Sequence, residues 1–160
     1  MRYFLCVRYL LSQKFSLFER FDITDEAGSL VFEAKGHLGS AISLHDASGL
    51  QVAGVSKHVF TDTHEIDVNG ERVAQVRHTG FFGDRYEVDS SYGVLTASGR
   101  FFSNNFTLER GGMLVAEMAQ QWGWGEKFAL DIADSENAPF VLAVMLAIEA
   151  IHQERENQNR

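Results

Sequence analysis

"APFVLAVMLAIEAI", residues 138–151, is the most apolar stretch of an otherwise acidic chain, and the container it needs decides the fold. As a helix rising about 1.5 Å per residue it would reach roughly 21 Å, short of the roughly 30 Å hydrocarbon core of a bilayer. It is too short to span a membrane. From Phe140 to Ile148 it has no polar side chain, and Glu149 is its first charge. It therefore lacks the polar face of a helix lying on a surface, and a helix apolar all round is normally buried on all sides. The rest of the chain must supply the wall.

That wall is written as a repeat: "FDITDEAGSLVFEAKG" (21–36), "ISLHDASGLQVAGVSK" (42–57), "HEIDVNGERVAQVRH" (64–78), "YEVDSSYGVLTASGR" (86–100) and "FTLERGGMLVAEMAQ" (106–120). Each segment opens on a short alternating apolar run, passes a polar turn ending in Gly, and continues through further apolar steps to a basic or polar residue. This is the pattern of a β-hairpin. The turns "DEAG", "DASG" and "DVNG" place Asp first and Gly fourth, which predicts type I turns closed by a residue at positive φ; "SSYG" and "ERGG" deviate. Counting from Gly28, Gly49, Gly70, Gly93 and Gly112, the fourth residues are Phe32, Ala53, Ala74, Ala97 and Ala116. Two further on lie Ala34, Val55, Val76, Gly99 and Met118, on the same face by the two-residue period of a strand. This face is read as inward. Val31, Val52, Val73 and Val115 break the alternation and predict either a bulge or a partly covered outer face.

With the run Arg2–Leu10 and the final "KFALDIA" (127–133), the count reaches about twelve short strands before the helix. Such a meander either closes or folds into a sandwich. The helix favours closure, because a barrel wider than about eight strands needs a plug or holds a cavity. Pro139 suits a first helical turn, Ser135 or Asn137 its N-cap, and Ala143, Ala147 and Ala150 form a narrow stripe for close approach to the wall. The expectation is a mainly β, about twelve-stranded antiparallel barrel with a buried central C-terminal helix. One domain covers 1–152, its helix at about 137–152, and 153–160 form a polar tail.

Four features together, the repeated hairpins, the "RFFSNNFTLERGG" connector, the Trp-bearing "QQWGWGEKFALDIAD" and the terminal apolar helix, resemble the LURP-one-related family of the tubby C-terminal-like superfamily over essentially the whole chain. The resemblance implies a twelve-stranded barrel threaded by a hydrophobic helix. The superfamily includes phosphoinositide-binding tubby proteins and phospholipid scramblases. No acidic motif in this chain matches a calcium site that the scramblase relationship would imply.

The formal net charge of -8 argues against broad electrostatic binding to nucleic acid. Cys6, the lone cysteine, excludes an internal disulfide, fits a reducing cytoplasmic setting, and is read as a buried structural thiol. The opening "MRYFLCVRYLL" is read as a strand, since Arg8 interrupts the apolar run and no small-residue cleavage site follows. No nucleophile elbow, phosphate loop or zinc helix occurs, and His58 with His64, the one pair close enough to consider for a metal, is read as strand-end polar residues. Neither an enzyme nor a cofactor or metal is expected.

If the Gly turns share one end of the barrel, the connectors share the other, and the two ends differ in chemistry. The connector end collects Lys35, Lys57, Arg77, Arg100 and Lys127 with Phe81, Phe82, Phe101, Phe102, Trp122 and Trp124; the turn end collects Asp25, Glu26, Asp46, Asp67, Asp89, Glu109 and Asp134. Basic residues among aromatics suit a lipid headgroup at a membrane interface, with cations on phosphate and rings at the polar boundary. The same aromatics also suit a lid over the barrel end. The helix should cross from the turn end and deliver "HQERENQNR" to the basic rim, where Glu154 and Glu156 would shield it. The sequence thus points to a cytoplasmic binding module that takes an anionic phospholipid and sits peripherally on a membrane. The alternative is a protein-interaction scaffold without lipid contact, and a ligand carrier or enzyme would need interior space that the helix fills.

Overall fold

Strands β1 Cys6–Ser12, β2 Arg20–Thr24, β3 Leu30–Gly36, β4 Ile42–Asp46, β5 Gln51–Lys57, β6 His64–Val68, β7 Glu71–His78, β8 Arg85–Ser90, β9 Gly93–Ser98, β10 Thr107–Arg110, β11 Met113–Trp122 and β12 Lys127–Ala133 precede helix α1, Ala138–Gln158. The structure is a computed structural model, and the residues it describes are 5–12, 20–36, 41–58, 61, 63–80, 83–99, 105–122 and 127–159. Each strand pairs antiparallel with its chain neighbours, and β1 closes the sheet on β12, from Cys6 opposite Ala133 to Ser12 opposite Lys127. Closure leaves no sheet edge.

The hairpin turns use two chemistries. In the first two, the Asp carboxylate holds the loop: Asp25 Oδ1 accepts from the Ala27 and Ser29 N–H groups, and Asp46 Oδ1 from those of Ser48 and Leu50. Gly28 and Gly49 close these turns at φ 85° and 92°. The third departs from the expected type I form. Asp67 stays in β6 opposite Arg72, and the turn is the two-residue pair Asn69–Gly70, at φ 51° and 84°. Positive φ at both central residues matches the right-handed twist of the flanking strands, and Asn-Gly is the pair that tolerates it.

The Ser48 hydroxyl, joined by the backbone N–H groups, holds the Asp46 carboxyl below its ordinary range. A carboxyl depressed on folding contributes stability above its unfolded pKa, near 4, and loses it as pH falls through the lower folded value. Asp46→Asn should therefore flatten the acid limb of a plot of melting temperature against pH. An unchanged limb would mean that the turn does not feel this charge.

The valines that break alternation are the bulged residues. Register shifts fall between Ile23 and Thr24, Leu44 and His45, Ile66 and Asp67, and Leu108 and Glu109, and each leaves Val31, Val52, Val73 or Val115 as the extra residue on the opposite strand. Val31, Val52 and Val73 pack half-buried against the core, and Val115 is buried. The β8–β9 hairpin carries Thr96 at the equivalent place and pairs without a shift.

Of the inward face that the glycine count predicts, Phe32, Ala53, Ala74, Ala97, Ala116, Ala34, Val55, Val76 and Met118 are buried, and Gly99, past the end of β9, is half-buried. Inside them every residue of α1 from Phe140 to Ile151 is buried, Glu149 included. The helix lies off the barrel axis, its backbone nearest β5, β6 and β7. Small inward groups at Ala53 and Ala74 permit that approach. Across the barrel, Tyr9, Leu11, Phe21, Ile23, Phe128 and Leu130 fill the wider gap. Among the described residues no helix is long and apolar enough to cross a membrane.

Two expectations need correction. The helix does not give way to a tail after residue 152 but runs to Gln158. Its final turns are good helix formers, and they add i,i+4 contacts, Gln153 Nε2 to Glu149 Oε1 at 3.1 Å and His152 Nε2 to Glu156 Oε1 at 3.2 Å. Asn137 supplies the N-cap, its Oδ1 accepting from Phe140 N–H at 3.0 Å. Cys6 is exposed, not buried. It shares the outer face with Arg8, while the neighbouring parity, Tyr9 and Leu11, points inward. Partial burial and the Asp131 carboxylate raise its thiol pKa, which lowers its thiolate fraction.

Candidate functional site

Strand direction puts the ends of β3, β5, β7 and β11 and the start of β12 at the connector end, and with them Lys35, Lys57, Arg77 and Lys127. Parity then separates them. Lys57 continues the inward series Ala53–Val55 and faces the mouth, whereas Lys35 and Arg77 lie one residue out of phase with their inward neighbours and stand on the outer wall. Lys127 and Trp122 are described in backbone alone, as end residues of β12 and β11. Arg100, Phe81, Phe82, Phe101, Phe102 and Trp124 lie outside the described residues.

Lys35, Lys57 and Arg77 each meet a carboxylate. Lys35 Nζ is 3.4 Å from Glu33, whose other oxygen faces Arg20, and Arg77 donates to Glu87 across the β7–β8 ladder at 2.6 Å. Lys57 Nζ lies 3.2 Å from Glu154 Oε2, and the same carboxylate approaches His64 Nε2 at 3.6 Å. His152 Nδ1 stands 3.6 Å from Asp84 in the β7–β8 connector. These contacts tie the last turns of α1 to the rim, with Glu154 in the shielding position.

Between the helix end and the β6–β8 rim lies a cleft of about 300 Å³, lined by Thr63, Arg77, His78, Ile151, Glu154, Arg155 and Gln158. Ile151, Glu154, Arg155 and Gln158 follow i, i+3, i+4, i+7 spacing, one helix face. His78 is fixed here by Nε2 on the Gly83 carbonyl at 2.9 Å and by an edge-on contact with Tyr86. The Glu87 hydrogen bond keeps Arg77 charged at any working pH. Arg155 makes no ion pair among the described residues, so it is the cation of this cleft most open to a ligand. Sequence reading missed Arg155 and Thr63, because their meeting requires the helix to continue past residue 152. Lys35 is four strands from Arg77 and takes no part in the cleft.

A closed twelve-stranded antiparallel barrel around one hydrophobic helix is the tubby-like architecture. Within it, this chain belongs to the LURP-one-related family, whose model matches residues 7–149. The X-ray structure of an Arabidopsis thaliana protein is similar in fold, with a TM-score of 0.69 at 17% identity over 98% of this chain and 93% of that one. No curated protein matches the chain.

Proposed function

We propose that this chain is a non-enzymatic binding module whose connector end takes an anionic, phosphoinositide-like headgroup and tethers the protein to the cytoplasmic side of a membrane. The cleft between α1 and the rim supports this reading: Arg155, Arg77, His78 and Thr63 line a volume of about 300 Å³, with the Arg77 guanidinium held at its outer edge by Glu87. Guanidinium groups grip phosphate oxygens in a bidentate fork. The Arg77–Glu87 pair is exposed and screened by solvent, so a phosphate can take Arg77 from Glu87 at small cost.

A second reading is favoured by the ion pairs themselves. Lys35, Lys57 and Arg77 are already matched by Glu33, Glu154 and Glu87, and the formal charge of -8 repels an anionic surface at long range. This is the pattern of a protein-interaction scaffold with no lipid contact.

Vesicle flotation separates the two. The lipid reading expects the protein to float with phosphoinositide vesicles and stay down with phosphatidylcholine alone. Arg77→Ala combined with Arg155→Ala should weaken flotation at least tenfold, since each charge-assisted hydrogen bond contributes about 1.5–3 kcal/mol and about 1.4 kcal/mol is tenfold. Lys35→Ala, outside the cleft, should float as the parent does. A wild-type protein that stays soluble with every vesicle would leave the scaffold.

A further inference from the structure

The end of the barrel opposite the cleft carries a different surface. Among the described residues, every exposed large apolar side chain lies at the turn end. Leu50, Leu30 and Leu5 are 64%, 41% and 79% exposed, on the β4–β5 turn, the β2–β3 turn and the lead-in to β1. Beyond β12 and its connector to the helix, Met113 is 76% and Val94 57% exposed, on the β10–β11 and β8–β9 turns. Tyr92 stands beside them with its ring 4.6 Å from Phe140, roofing the first turn of α1. Single exposed apolar residues are ordinary, but their confinement to one rim is not. Neither turn geometry nor core packing asks for Leu50 or Met113.

Charge identifies the occupant. The arginines at this end are committed: Arg8 to Asp131 at 2.8 and 2.9 Å, Arg72 to Asp67 and Glu65, Arg110 to Glu136. Glu26, Asp89, Glu109 and Asp134 stand between the apolar groups with no direct ion pair among the described residues, Glu26 feeling only the field of Arg8 and Asp89 that of Arg77, and Asp25 and Asp46 add their charge while holding the turn N–H groups. An anionic membrane or a second acidic rim would be repelled. From Leu50 to Leu5 the rim crosses four strand spacings, roughly 19 Å, which is about thirteen residues of helix.

We propose that the turn end is a docking surface for a partner protein's basic amphipathic helix, its apolar face on Leu30, Leu50 and Leu5 and its Lys and Arg residues on the surrounding carboxylates. This surface is independent of the connector-end cleft. Together they would make the barrel an adaptor with opposed ends.

The test is titration of the isotope-labelled protein with a synthetic eighteen-residue Leu/Lys amphipathic helix, followed by amide shifts. Perturbation should centre on residues 5–7, 25–30 and 46–50. Leu30→Ser with Leu50→Ser should weaken binding at least tenfold at unchanged melting temperature, and Glu26→Gln should weaken it in a manner that added salt removes. A Ser/Lys peptide of equal charge should bind far more weakly. The proposal is overturned if that peptide binds as tightly, if shifts centre on the connector end, or if the Leu variant binds like the parent. Flotation with phosphatidylcholine vesicles, or self-association lost in the Leu variant, would assign the patch to lipid or to a second copy and also overturn it.

Discussion

Leu142→Asp should leave no folded protein at 25 °C, seen as collapse of amide dispersion and loss of cooperative melting. Leu142 is 1% exposed, in the middle of the helix that the barrel encloses. The substitution removes a buried Leu side chain, a loss of about 2–5 kcal/mol, and adds a carboxyl whose burial costs several more. A domain of this size has about 5–15 kcal/mol in total. Gln158→Asp, at the exposed helix end, should remain folded and serves as the control. The contrast also bears on the role of the helix. Were residues 138–151 to leave the barrel for a bilayer, Leu142→Asp would stay folded and lose only membrane association.

The wall was legible because its rules are local. Val31, Val52, Val73 and Val115 marked the bulges from their offset after glycine alone, since an apolar residue out of phase in a strand needs either a second buried face or an extra residue. Asp25 and Asp46 announced their turns because the carboxylate that caps the loop is part of it. The third turn misled for the same reason: "DVNG" contains two turn signals, and the Asn-Gly pair prevailed over the Asp because it lets Asp67 and Arg72 stay in the ladder.

The cleft was hidden because it depends on distances in space. Lys57 and Glu154 are far apart in the chain, and only the helix running the length of the barrel brings them to 3.2 Å. Placing cations at the connector end needed strand direction, which the repeat supplied. Deciding which of them converge needed parity at the strand ends and the true length of α1. Cys6 failed on the same point, since its parity in β1 put it with Arg8 on the outside.

Phe140→Ala should cost about 3–5 kcal/mol, or roughly 6–20 °C in melting temperature, while leaving the protein folded at 25 °C. Phe140 is fully buried in the first turn of α1, where its N–H is held by the Asn137 cap and its ring lies 4.6 Å from Tyr92 at 40°. Removing the ring leaves a cavity at the turn end of the barrel that the surrounding strands cannot collapse into, because the closed ladder fixes their spacing. Tyr92→Ala, 37% exposed, should cost less, and the double variant should show a coupling of about 0.5–1.5 kcal/mol, the range for an aromatic pair. The two ends of the barrel should also respond differently. Tyr92 links Phe140 to the exposed apolar rim, so Phe140→Ala should shift amide signals around residues 91–94 and leave those of Lys57, His64 and Glu154 in place. Shifts spreading through α1 to Glu154 would instead show that the helix moves as a rigid rod, and that an event at the turn end is felt at the cleft.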